Sequence, residues 1–206
     1  MIIRRVQRED PAAMSTTIRF RFNPLKAVQV AAMFLKLHGG RMEFLTLLKL
    51  MYKADRVAFE KIDKPITGDT YFSMAKGPVL SAVYDFIKDN QKYRNTEVWK
   101  KYISTRNESS NHEVRLLKDP GFDELSEEEE EIIKDAHKEW GRLNRFDIVI
   151  LTHDFPEWEN PQGRESKAIP IDVVDILKNV GKTQEQIEYI REIAARELYL
   201  NELLDE

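Results

Sequence analysis

Residues 43–79 read EFLTLLKLMYKADRVAFEKIDKPITGDTYFSMAKGPV, and no other stretch restricts the fold as much. Leu47, Met51, Ala54 and Ala58 recur at helical spacing, and Phe44, Leu48, Tyr52 and Phe59 widen the stripe until little of the helix is left for water. A helix apolar on most sides belongs inside a domain. It is expected over about 44–60, with Leu47, Leu48 and Met51 almost fully buried. Pro65 breaks it, Gly68-Asp69 turns the chain, and Tyr71, Phe72 and Met74 suit a short strand over 70–75. Gly77-Pro78 reads as a second turn, with Pro78 in the first turn of a helix starting near Val79.

The flanks follow the same logic. Residues 16–22, TTIRFRF, alternate Ile18, Phe20 and Phe22 against Arg19 and Arg21, which predicts a strand with one buried face. Asn23 and Pro24 open a helix that stops at Gly39-Gly40. Val98, Trp99 and Tyr102 suggest a short helix at the edge, and residues 113–118 are a candidate third strand. Ser126 with Glu129, and Thr183 with Gln186, have capping-box spacing. Asn144 caps a short helix expected to bury Phe146, Val149, Ile150 and Leu151, and Pro170 is expected to open another. The expected fold is α+β and predominantly helical, a compact helical domain with a small two- or three-stranded sheet. Residues 1–15 are expected to form a mobile arm and 16–181 the domain, with an amphipathic helix over 182–206 packed on or appended to it.

Composition narrows the chemistry. The chain has 206 residues, no cysteine and a net charge of −4. Lack of thiols excludes disulfides, thiolate zinc sites and cysteine nucleophiles, and fits a reducing cytoplasm. No run approaches the roughly 20 apolar residues of a membrane span. Acidic charge disfavours nucleic acid as a partner. The four histidines, His38, His112, His137 and His153, show neither HxH nor HxxxH spacing, so no metal and no cofactor is expected. His153-Asp154 is the best acid–base pair, but a helix-terminal histidine more commonly bonds backbone, and no enzyme activity is expected.

LLKLMYKADRVAFEKIDKPITGDTYFSMAKGPVLSAVYDFIK at residues 47–88 resembles the Panacea domain, the SocA-like antitoxin domain related to phage-associated GepA proteins. The resemblance rests on Tyr52, Ala54 and Asp55, on Pro65 to Asp69, and on Gly77, Pro78 and Val79. Leu151, Thr152, His153, Pro156 and Trp158 are similar to the family's L-T-H…W segment, and Ile169 to Ile171 to its closing motif. Lys76 departs from the His or Tyr of many members. The resemblance implies a bacterial or phage antitoxin that neutralises a co-encoded protein toxin by direct non-covalent binding. A proteolytic adaptor and a DNA-binding autorepressor are the alternatives. Candidate partner contacts are Arg19, Arg21, Tyr71, Phe72, Met74, Lys76, Trp99, His153 and Trp158. The shared turns also have mechanical roles open to them: Asp55 can accept hydrogen bonds from the 67–69 turn, and Trp158 can lock the loop after residue 153.

Overall fold

A computed structural model describes residues 17–90, 96–104 and 112–204, so the arm expected over residues 1–15 lies outside the described residues. The order of elements is α1 Pro24–Leu37, β1 Arg41–Glu43, α2 Phe44–Ile62, β2 Tyr71–Met74, β3 Gly77–Leu80, α3 Ser81–Lys88 and α4 Thr96–Tyr102. It continues with β4 Glu113–Arg115, α5 Glu127–Trp140, α6 Arg145–His153, β5 Ala168–Ile171, α7 Val173–Asn179 and α8 Gln184–Leu204. The class is α+β and predominantly helical, as the sequence patterns require.

α2 is the hub. Leu47, Leu48 and Met51 are fully buried, and α1, α5, α6, α7 and the β2–β3 hairpin all pack around it. Helices start where their caps direct: the Asn23 side chain accepts from Lys26 N, Asn144 accepts from Phe146 N and Asp147 N, and Ser126 with Glu129 completes a capping box on α5. Thr183 and Gln186 form the same reciprocal pair before α8. No helix among the described residues is long and apolar enough to cross a membrane.

Among the described residues two antiparallel sheets form. β1 pairs β4, with Met42 opposite Val114, and the second sheet has the order β3-β2-β5. This overturns several expectations. Residues 17–23 join no strand ladder, although Ile18 is buried and Arg19 and Arg21 are exposed as the alternation requires. β2 itself is closed to the segment, since Tyr71 pairs Leu80 on one side and Ile171 on the other. The segment instead lies across the Gly68 turn, where a Cβ would overlap the Arg21 carbonyl, and sends Phe20 against Phe59 and Phe22 against Phe86.

Gly77-Pro78 does not open a helix. Met74 pairs Gly77 across a hairpin whose loop is Ala75-Lys76, and α3 begins only at Ser81. Gly77 has φ +90, and a Cβ there would overlap Thr152 Oγ1. Pro170 likewise lies in β5, opposite Phe72, and α7 begins after Asp172, whose side chain accepts from Val174 N. The 113–118 run contributes β4, but its partner is β1 and not the β2 sheet.

Candidate functional site

A buried polar cluster ties the PITGD turn to α2. Asp55 accepts from Ile66 N at 3.0 Å, Thr67 N at 3.1 Å, Thr67 Oγ1 at 2.6 Å and Tyr71 Oη at 2.9 Å. Asp69 accepts from Ala82 N and Val83 N, holding the start of α3. Burial pushes the Asp55 carboxyl up to about 6 and the Asp69 carboxyl up to about 7, against the downward pull of these donors. The mechanical role expected for Asp55 is therefore observed. Tyr71 belongs to this cluster at 2% exposure, so it offers no surface to a partner. Trp99 is 0% exposed and packs on Phe86, which removes it too from the candidate contacts. Large aromatics suit interface anchors, but here their area is spent inside the core.

A second cluster fixes the segment after α6. The side chain of Glu157 is fully buried and accepts from Arg56 Nε at 2.7 Å, Tyr52 Oη at 3.0 Å and Asn179 Nδ2 at 3.2 Å. It clamps the loop between α2 and α7. The neighbouring Trp158 then donates its indole N–H to the Met74 carbonyl at 3.0 Å and stacks on His153, with ring centroids 3.8 Å apart at 6°. The lock expected of Trp158 is present. Burial, and after it the nearby Lys49, hold the His153 imidazole below its ordinary pKa, and its Nε2 has no hydrogen-bond partner among the described residues. Beneath the hairpin, the fully buried Lys49 donates to the Pro78 carbonyl at 2.6 Å, and desolvation holds its amine well below the usual value.

These locks carry a surface that sequence reasoning placed on the wrong side. On α6, Phe146 is 67% exposed and Ile150 61% exposed, with Val149 and His153 half-buried. The four have spacing i, i+3, i+4, i+7 and form one face. The inward positions are instead Ile148 and Thr152. Thr152 tolerates the interior because its hydroxyl donates to the Val149 carbonyl on its own helix. The stripe was visible in the sequence, but a stripe identifies an apolar face without saying which way it points.

Phe146 and Val149 line a groove of about 430 Å³ with Phe44, Leu45 and Lys76. The surface thus gathers Lys76, His153 and Trp158 from the candidate contacts, with the Met74 carbonyl holding Trp158 in place, and adds Phe146, Val149 and Ile150. It does not include the rest. Phe72 and Arg19 line a different groove beside Pro170 and Ile171, and Arg21 lies beside Asn23 and Glu197. Among the described residues, no three His, Asp or Glu side chains converge as metal ligands would.

The fold and this surface define a helical α+β domain whose most polar motifs are internal and whose α6 presents apolar side chains outward. The family described as antitoxin SocA-like, Panacea domain matches residues 47–159, more than half of the chain, and the chain belongs to that family. No curated protein and no solved structure matches it.

Proposed function

We propose that this protein is an antitoxin that neutralises a co-encoded protein toxin by direct, non-covalent binding in the cytoplasm, without catalysis. Membership of the SocA-like antitoxin family supports the antitoxin role. The observation that carries the binding mode is the outward Phe146–Ile150 face of α6 beside the Ala75-Lys76 loop. Soluble domains rarely leave contiguous large apolar side chains in water unless something covers them. A stable cover needs about 800 Å² per partner, with aromatic anchors near its centre. Rigid support matters as well, since a surface that is already ordered loses little entropy on binding. Here the support is the Glu157 clamp, the Trp158–Met74 hydrogen bond and the close seat of Gly77 on α6.

The test is co-expression with the product of an adjacent reading frame that arrests growth when expressed alone. Restored growth together with a stoichiometric complex on size-exclusion chromatography is the expected result. Restored growth with no complex, from a chemically altered toxin, would replace binding by catalysis.

A further inference from the structure

The groove beside α6 has a chemistry of its own. Its floor is Phe44, Leu45, Phe146 and Val149, and its charged lining is Glu43, Lys76 and Arg145, with His112 stacked edge-on against Phe44. Glu43 is engaged by Arg145 Nη1 at 3.1 Å, and the Arg145 guanidinium also sits 4.9 Å from the Phe146 ring centroid. Lys88 Nζ lies 5.7 Å from the Phe44 centroid. Lys76, at the tip of the hairpin, is exposed and makes no ion pair among the described residues. The groove's lining therefore carries two cations against one carboxylate, and with Arg145 engaged by Glu43 it leaves Lys76 as the cation a partner can reach. Lys76 sits in the same lining as Phe146, at the edge of the exposed apolar pair of α6.

Resting on the antitoxin reading, we propose that this groove receives an amphipathic acidic segment of the toxin, which places a large apolar side chain against Phe146 and Ile150 and a carboxylate against Lys76. The spacing of Phe146 and Ile150 is that of one ridge of a helix, and such a ridge packs between the i, i+4 rows of a second helix. A carboxylate at Lys76 gives register and rejects basic competitors. Nucleic acid fits worse, because a phosphate backbone is held by a run of free cations. An anionic membrane is met by a convex basic helix, not by a concave groove with one unpaired lysine.

A labelled 14-residue helical peptide with leucines at i, i+4 spacing and glutamates between them is the probe, read by fluorescence anisotropy on the full chain. Binding to the wild type is expected to weaken at least 10-fold for Lys76→Glu and for Phe146→Ser, and to be unchanged for Lys138→Glu on α5. The same peptide with every glutamate replaced by lysine is expected to bind at least 10-fold more weakly. Circular dichroism confirms that each variant is folded, and Ile150→Ser supplies a second apolar substitution. No binding of the acidic peptide to the wild type, equal binding by Lys76→Glu, or preference for a single-stranded oligonucleotide or an anionic vesicle overturns the proposal. So does a dimer of this chain in light scattering that Phe146→Ser dissolves. The two readings separate in co-expression. If Lys76→Glu and Phe146→Ser still restore growth, the groove is not the toxin's seat and the antitoxin reading stands. If the wild type restores no growth while the peptide data hold, the antitoxin reading fails and the groove's specificity stands.

Discussion

The Asp55–Tyr71 region and the Phe146–Trp158 region treat polarity in opposite ways. In the first, carboxylates and hydroxyls are inside, and Asp55 alone accepts four hydrogen bonds. In the second, phenylalanine and isoleucine are outside. Both regions contribute to the family match over residues 47–159, yet only the second leaves its apolar groups where another molecule can reach them. A shared motif can thus be shared for shape, and its neighbour can carry the contacts.

The contrast is broken most directly at Asp55. Asp55→Ala strands four buried donors, and unfolding by urea should show a loss of about 3–5 kcal/mol. Leu48→Ala on the same helix is the apolar yardstick and should cost about 2–5 kcal/mol through the cavity it leaves. If Asp55→Ala costs far less than Leu48→Ala, the polar cluster is ornamental and the comparison collapses.

Acidity sharpens the same point. Asp55 at about 6 and Asp69 at about 7 both lie above the unfolded carboxylate value of 3.8, so the folded chain retains protons that the unfolded chain has released. Their contribution is present below about pH 4 and is lost as pH rises through 6 to 7. Between pH 5 and pH 8 the denaturation free energy should fall by roughly 2–4 kcal/mol from these two groups. A shallower slope in Asp69→Asn, followed by urea titration across that range, checks it; an unchanged slope excludes Asp69 as its source.

Smaller effects lie nearer the second region. Gly77→Ala forces a left-handed backbone on alanine and drives its Cβ onto Thr152 Oγ1, and should cost about 1–3 kcal/mol in thermal or chemical denaturation. Phe146→Ser should change stability by less than about 0.5 kcal/mol, because the ring is already largely in water. A large loss there would mean that the ring supports the fold, and the distinction between the two regions would disappear.

Much of the first region was legible in the sequence. The spacing of Leu47, Leu48 and Met51 identified the central helix, and Asp55 facing the 67–69 turn followed from one carboxylate near a Thr-Gly pair. Caps at Asn23, Ser126, Asn144 and Thr183 were readable because capping is local chemistry. The misses were non-local. Residues 17–23 have a strand's alternation, but alternation does not name a partner, and the second side of β2 belongs to β5. Gly77-Pro78 reads locally as a turn into a helix, and only the pairing of Pro78 with Ser73 makes it a strand of a hairpin. Glu157 carried no visible mark, since its partners Arg56, Tyr52 and Asn179 are distributed along the chain. Of the candidate contacts, Lys76, His153 and Trp158 converge, whereas Tyr71 and Trp99 are interior because aromatic size suits a core as well as an interface.

β5 has a further consequence, in time. Tyr71 must wait for Ile171, roughly one hundred residues downstream, before the middle strand of the sheet has its second neighbour. At about 5–20 residues per second, a ribosome needs about 5–20 s to supply that neighbour. During this interval β2 has an open hydrogen-bonding edge, which can recruit a strand from another chain. Pro170 blunts the finished sheet by removing one donor from its outermost strand, but it arrives only with that strand. The nascent chain is therefore most exposed to misassembly in the seconds before its last strand is made, and a chain cut short of residue 168 would remain in that state.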